Sequence, residues 1–149
     1  MKRSCLLTLL IVLISTCSSQ WRHNGVAILD TAGNDGYSLP QIAEDGRGGA
    51  IICWRDIRNR KDLDIYAQRI DSSGKILWTH HGVPVCTAAL NQNYPRMISD
   101  GEKGAIIVWE DGRDSVDLRV YAQKISSTGQ VQWQENGVKA SVLGGLFLR

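Results

Sequence analysis

No segment of this chain holds the 3.6-residue apolar spacing of an amphipathic helix over a useful length. Coiled coils are thereby excluded, and 43% hydrophobic with 21% charged residues excludes low-complexity polymer. An excess of one charge is missing too. Lys2 and Arg3 belong to the extreme N-terminus, and without them the 17 basic residues fall to 15, against 15 acidic ones. With no Lys/Arg-rich block, nucleic-acid binding has no electrostatic footprint. The longest apolar run, residues 6–14, is too short to span a bilayer. GxSxG, HExxH and phosphate-loop patterns are absent. His23, His80 and His81 have no Cys or carboxylate at metal spacing and make a poor zinc site. Asp62 and Asp64 hint at calcium, but Asp64 becomes Arg119 in a second copy and there is no Asp-rich loop. The carboxylates fall in turns without a partner to tune them for acid and base work. We therefore expect no catalytic residue, no cofactor and no metal.

What the chain does contain is a segment written twice. Residues 40–83 recur as 95–138 without a gap, at an offset of 55. Pro40, Asp45, Gly49, Trp54, Asp56, Arg58, Tyr66, Gln68, Gly74 and Trp78 return as Pro95, Asp100, Gly104, Trp109, Asp111, Arg113, Tyr121, Gln123, Gly129 and Trp133. A fixed period of this length, built of short apolar runs between Gly and Asp turns, is the sign of a stacked or radial repeat. Trp21-x-His23-x-Gly25-Val26 matches Trp78-x-His80-x-Gly82-Val83, so the segment after the N-terminal leader reads as the end of a further unit. The tail 142–148 is apolar where the earlier copies are polar.

The N-terminus is read separately. Lys2-Arg3, the apolar run and the small residues from Ser15 to Ser19 describe an export signal. Cys17 follows Leu13-Ile14-Ser15-Thr16, which is similar to the lipobox of bacterial lipoproteins except that Thr16 stands where Gly, Ala or Ser is usual. Cys17 is thus a lipidation candidate beside simple cleavage near Ser19. The expected division is 1–19 signal, 20–36 the terminal strand of a preceding unit with a linker, 37–93 a first repeat and 94–149 a second. Cys53 and Cys86 belong to the second and fourth strands of one expected sheet, about 9–10 Å apart and beyond the reach of a disulfide.

Each unit offers four strands. Residues 39–43 open with Pro near the start, where a missing donor does least harm. Residues 49–54 form an unbroken apolar run around the β-branched pair Ile51-Ile52, the mark of a strand buried on both faces. Residues 63–70 follow, and after the turn at 71–74 the fourth strand is expected over 75–78 and onward. The fold expected is all-β: two four-stranded antiparallel propeller-like blades of about 55 residues plus one N-terminal strand.

The string Gly48-Gly49-Ala50-Ile51-x-x-Trp54-x-Asp56-x-Arg58, followed by Asp64-Ile65-Tyr66-Ala67-Gln68-Arg69-Ile70-Asp71-x-x-Gly74, resembles a repeat of large secreted bacterial proteins that build β-propellers. The elements 74–78 and 129–133 are similar to the docking Trp motif of quinoprotein-like propellers, and more loosely to the turn of sialidase-like ones. That resemblance implies that the Trp packs on the neighbouring blade. No catalytic residue of either family maps onto this chain.

A residue required in every unit is best explained by what every unit does, which is to fold and stack. On this ground Trp54, Asp56, Arg58, Tyr66, Gln68, Gly74 and Trp78 read as structural repeat positions, as do Trp109, Asp111, Arg113, Tyr121, Gln123, Gly129 and Trp133. Asp56 with Arg58 reads as a turn-stabilising pair before a sugar-binding one, and the Trp residues as packing before carbohydrate platforms. The functional expectation is a non-catalytic exported repeat with a structural or binding role at the cell surface, in the periplasm or outside the cell. Its partners would be its own kind or further blades of a longer parent, with no nucleic acid, and membrane contact only through a lipid anchor. The rival readings are part of a larger glycosidase-like or quinoprotein-like propeller enzyme, and a carbohydrate-binding or adhesion module.

Overall fold

The computed structural model describes residues 23–29, 38–114 and 117–141. Cys17, Trp21 and the 142–148 tail lie outside them. Every regular element described is a strand: β1 (Ser38–Glu44), β2 (Ala50–Asp56), β3 (Asp64–Ile70), β4 (Val83–Cys86), β5 (Gln92–Ser99), β6 (Ala105–Asp111), β7 (Arg119–Ile125) and β8 (Val138–Lys139). They form two antiparallel four-stranded sheets in sequential order, β1 to β4 and β5 to β8. The chain is all-β, as the spacing predicts.

The two sheets share one register. Ala50↔Ile70 through Asp56↔Asp64 in the first becomes Ala105↔Ile125 through Asp111↔Arg119 in the second. Each edge strand β1 and β5 carries a bulge at its proline, where Leu39 and Tyr94 take φ of 55° and 51°. Pro40 and Pro95 thus sit where the ladder is already interrupted and no donor is needed.

Side chains alternate across each strand, so each sheet has two distinct faces. Ile51, Cys53, Ile65 and Ala67 of the first sheet pack against Ala105, Ile107, Trp109, Tyr121 and Ile125 of the second, forming the larger core. Ala50, Ile52, Trp54 and Ile70 point the other way and carry only Ile28 and Leu29 of the N-terminal segment besides their own neighbours. The equivalents of Ile51 and Cys53 are Ile106 and Val108, which turn away from the core and stay partly exposed. The sheets therefore stack front to back, the Trp face of one on the Ile51 face of the other. β2 is buried on both faces, as its apolar run requires.

The fourth strand departs from expectation. Residues 75–77 make one short bridge, Ile76 to Ile70, closed by Asp71 N to Lys75 O at 3.0 Å and Leu77 N to Arg69 O at 2.8 Å; the main chain then leaves the ladder at Trp78 and resumes it at β4. Gln68, fully buried, fills the gap: its Nε2 donates to the Thr79 carbonyl at 2.8 Å and its Oε1 accepts from the amides of Arg69 at 2.9 Å and Trp78 at 3.1 Å. A side-chain amide thus replaces the peptide group a continuous strand would supply. Gln123 repeats this with Gln134 and Trp133. Of the segment 20–36 only residues 23–29 are described; they form a turn and coil, and no main-chain hydrogen bond joins them to either sheet.

Candidate functional site

The repeat residues converge on one arrangement in each unit. At the end of β2, Trp54 Nε1 donates to Asp56 Oδ2 at 2.9 Å, and the Arg58 amide donates to Asp56 Oδ1 at 2.8 Å. The Arg58 guanidinium folds back to pair with the same carboxylate, donates from Nη2 to the His81 carbonyl at 2.9 Å, and lies 3.6 Å above the Tyr66 ring. In the second unit Trp109, Asp111, Arg113 and Tyr121 repeat each contact, with Arg113 Nη2 reaching the Asn136 carbonyl at 2.7 Å and the guanidinium 3.9 Å above Tyr121. Asp and Arg two residues apart suit this because the chain turns at the strand end, bringing a bidentate cation back over its own anion. Burial pushes the Asp56 carboxyl up, but the hydrogen bonds from Arg58 and Trp54 outweigh it and hold the group below the ordinary carboxylate value.

Gly82 and Gly137 belong to the same arrangement. A methyl group on either would meet the Trp54 or Trp109 Cη2 at 2.6 Å, and both take φ near +85°, at 84° and 89°. The Gly in the Trp-x-x-x-Gly-Val string is therefore the floor on which the central-strand indole of the same unit lies. Tyr, Arg, Asp, Trp and Gly form a closed stack, and neither carboxylate is open to a ligand: Asp56 and Asp111 are 0% exposed.

Trp78 has a different role. It crosses to the second unit, where Nε1 donates to the Ser127 carbonyl at 3.0 Å and the indole lies on Gly129, whose added Cβ would stand 3.1 Å away. Its equivalent Trp133 is held by Gln123 in the same way yet is 39% exposed. Among the described indoles, Trp54, Trp78 and Trp109 are buried, and Trp133 alone presents a surface to which a sugar ring would have access.

Two features went unread in the sequence. Asp45, 1% exposed, pairs with Arg69 at 2.7 Å and accepts from the amides of Arg47 and Gly49 at 2.8 Å each. The recurrence of Asp45 as Asp100, with Lys124 for Arg69, was the available signal. The second is Asp64, 2% exposed, whose carboxyl burial and the nearby Asp62 and Asp56 charges raise to about 6. Asn59 Nδ2 donates to both Asp62 Oδ1 and Asp64 Oδ2, and among the described residues no three metal-ligating side chains gather.

One open groove, about 680 Å³, runs past Val26, Ser73, Lys75 and His80. The Ser73 hydroxyl is bonded to Asp71 at 2.6 Å, and no hydrogen bond joins it to Lys75 or His80, which pairs with His81 instead. Comparison with known proteins gives no matching family model, no matching curated protein and no matching solved structure. The likeness to secreted propeller repeats accordingly rests on the residues quoted for it, and the geometry carries the functional argument.

Proposed function

We propose that this chain is a non-catalytic, exported repeat protein of propeller type, with a structural or binding role in the cell envelope or outside it. The observation that carries this reading is the front-to-back stacking. Trp54, Asp56, Arg58 and Tyr66, which recur at the offset of 55, are engaged in a stack inside the unit, and Trp78 in the contact between units. In a repeat architecture stability comes from such unit and neighbour contacts, and function from the surface they present. The leader at residues 2–19 supports export, with Cys17 as the lipid attachment point or lost with the signal.

Fractionation of the producing cells, with mass spectrometry of the protein's N-terminus, tests the proposal. The expected species begins between Ser15 and Gln20 and is found in the envelope or the medium. An intact Met1 in the cytosolic fraction overturns the reading.

A further inference from the structure

Among the described residues, no sheet covers the outer face of the second sheet. Ile106 and Val108 of β6 are partly exposed, Ile98 of β5 is 64% exposed, and Trp133 stands beside them. Fifty-five residues earlier, Ile51 and Cys53 are 0% exposed because the second sheet covers them. Trp133 is positioned as Trp78 is, its amide bonded to Gln123 Oε1 at 3.0 Å, but its indole nitrogen meets no carbonyl among the described residues. The bare face is the donor half of an interface whose complete form exists within the molecule.

The acceptor half is also present. The turn at 71–74 is closed by Gly74 N to Asp71 O at 2.9 Å, as the turn at 126–129 is by Gly129 N to Ser126 O at 3.0 Å. The Trp54 face beside it is only partly covered. Ile42 is 69% exposed there, while its equivalent Met97 packs into the core between the sheets. What cover exists comes from Ile28 and Leu29, which border an apolar hollow of about 190 Å³ with Ile52 and Trp54. These residues belong to the segment that shares no main-chain hydrogen bond with either sheet.

We propose that the bare face of the second sheet seats on the Trp54 face of the first sheet of a second copy of this chain, reproducing the contact between the sheets within one copy. Trp133 Nε1 then donates to the Ser72 carbonyl of the second copy, as Trp78 does to Ser127. Residues 23–29 act as a placeholder that yields to the incoming sheet. The occupant is a second copy because the seat and the bare face are the counterparts, 55 residues apart, of the two faces that already meet within one copy. The two faces differ, so the contact is heterologous and adds copies head to tail instead of closing as a symmetric pair. This deepens the stacking reading above and is independent of export.

Sedimentation velocity of the purified full chain over a wide range of concentration provides the test. The expected result is a mass that rises with concentration. Val108→Arg charges the bare face and Ile42→Arg charges the acceptor face; both positions are solvent-accessible, and circular dichroism checks that each variant keeps its strands. Each alone stays monomeric, whereas their equimolar mixture gives a discrete dimer, since each retains one intact face. Ile28→Ser with Leu29→Ser weakens the placeholder and moves association to roughly tenfold lower concentration. A monomer at every concentration, association unaffected by either Arg variant, or a mixture that stays monomeric overturns the proposal.

Discussion

Arg69 Nη1 donates to the Ser127 carbonyl at 2.8 Å, so the buried cation of the first sheet is closed off by the second. Its other nitrogens hold Asp45, and the two side chains are 8% and 1% exposed. Removing one partner of such a pair leaves an uncompensated buried charge. Arg69→Met is expected to cost about 3–5 kcal/mol in denaturant unfolding. Arg69→Lys is expected to cost less than half of that, because Lys124 already serves Asp100 at 3.3 Å in the second unit. Equal losses for the two variants would show that the charge of Arg69 carries no weight.

Gly82→Ala and Gly137→Ala are each expected to destabilise by more than about 2 kcal/mol, since the methyl meets an indole and a main-chain carbonyl at 2.6 to 2.9 Å. Gly101 shares the left-handed φ, at 76°, but faces open space. Gly101→Ala should therefore show the backbone term alone, about 1 kcal/mol. Thermal melts of the three variants separate packing from strain, and a similar loss in all three refutes the indole contact.

The carboxylates divide in their pH behaviour. Burial raises Asp45 and Asp100, but hydrogen bonds from backbone amides and from Arg69 or Lys124 bring both below the ordinary value. Their contribution is present above that value and is lost as pH falls through the lower folded one. Asp64 runs the other way. Raised to about 6, it favours the folded state only while protonated, and that contribution disappears as pH rises through 6. Asp64→Asn should raise Tm near about pH 7.5 and leave it unchanged near about pH 4. A Tm gain of the same size at both would remove the electrostatic account.

Cys53 and Cys86 lie in β2 and β4 of one sheet, both as free thiols, and burial pushes each up to about 12. The thiolate is the reactive form, so neither should react with iodoacetamide in the folded protein at mildly alkaline pH. Both should react on unfolding, with no disulfide found by mass spectrometry under air. Rapid labelling of either thiol in the native state contradicts the packing.

The unbroken apolar run at 49–54 and the offset of 55 made the strands, their pairing and the separation of Cys53 from Cys86 legible in the sequence. The Trp–Asp–Arg–Tyr stack was legible as a set of recurring positions, because each unit needs it for its own fold. The displaced fourth strand was not, since Trp78 looks like a strand residue as Leu77 does, and the buried amide of Gln68 shows that the main chain leaves the ladder there. Neither was the shift of Asp64, which depends on three carboxylates brought close by the turn after β2. Front-to-back stacking likewise needed coordinates, because Ile51 and Ile52 are equally apolar and differ only in the face they take.

Gln68 has a consequence for how such a unit tolerates change. Beyond the last peptide pair, Leu77 N to Arg69 O at 2.8 Å, the residue that reaches the neighbour, Trp78, is registered by one side-chain amide. Chemistry at position 68 is therefore not free to vary, and neither is the loop at 79–82, which supplies the Thr79 carbonyl to Gln68, the His81 carbonyl to Arg58 and Gly82 to the Trp54 indole. Glutamate has the same length but offers the Thr79 carbonyl no donor, and asparagine is one carbon too short to reach it. A single amide, three rotatable bonds from the backbone, sets the distance at which one unit greets the next.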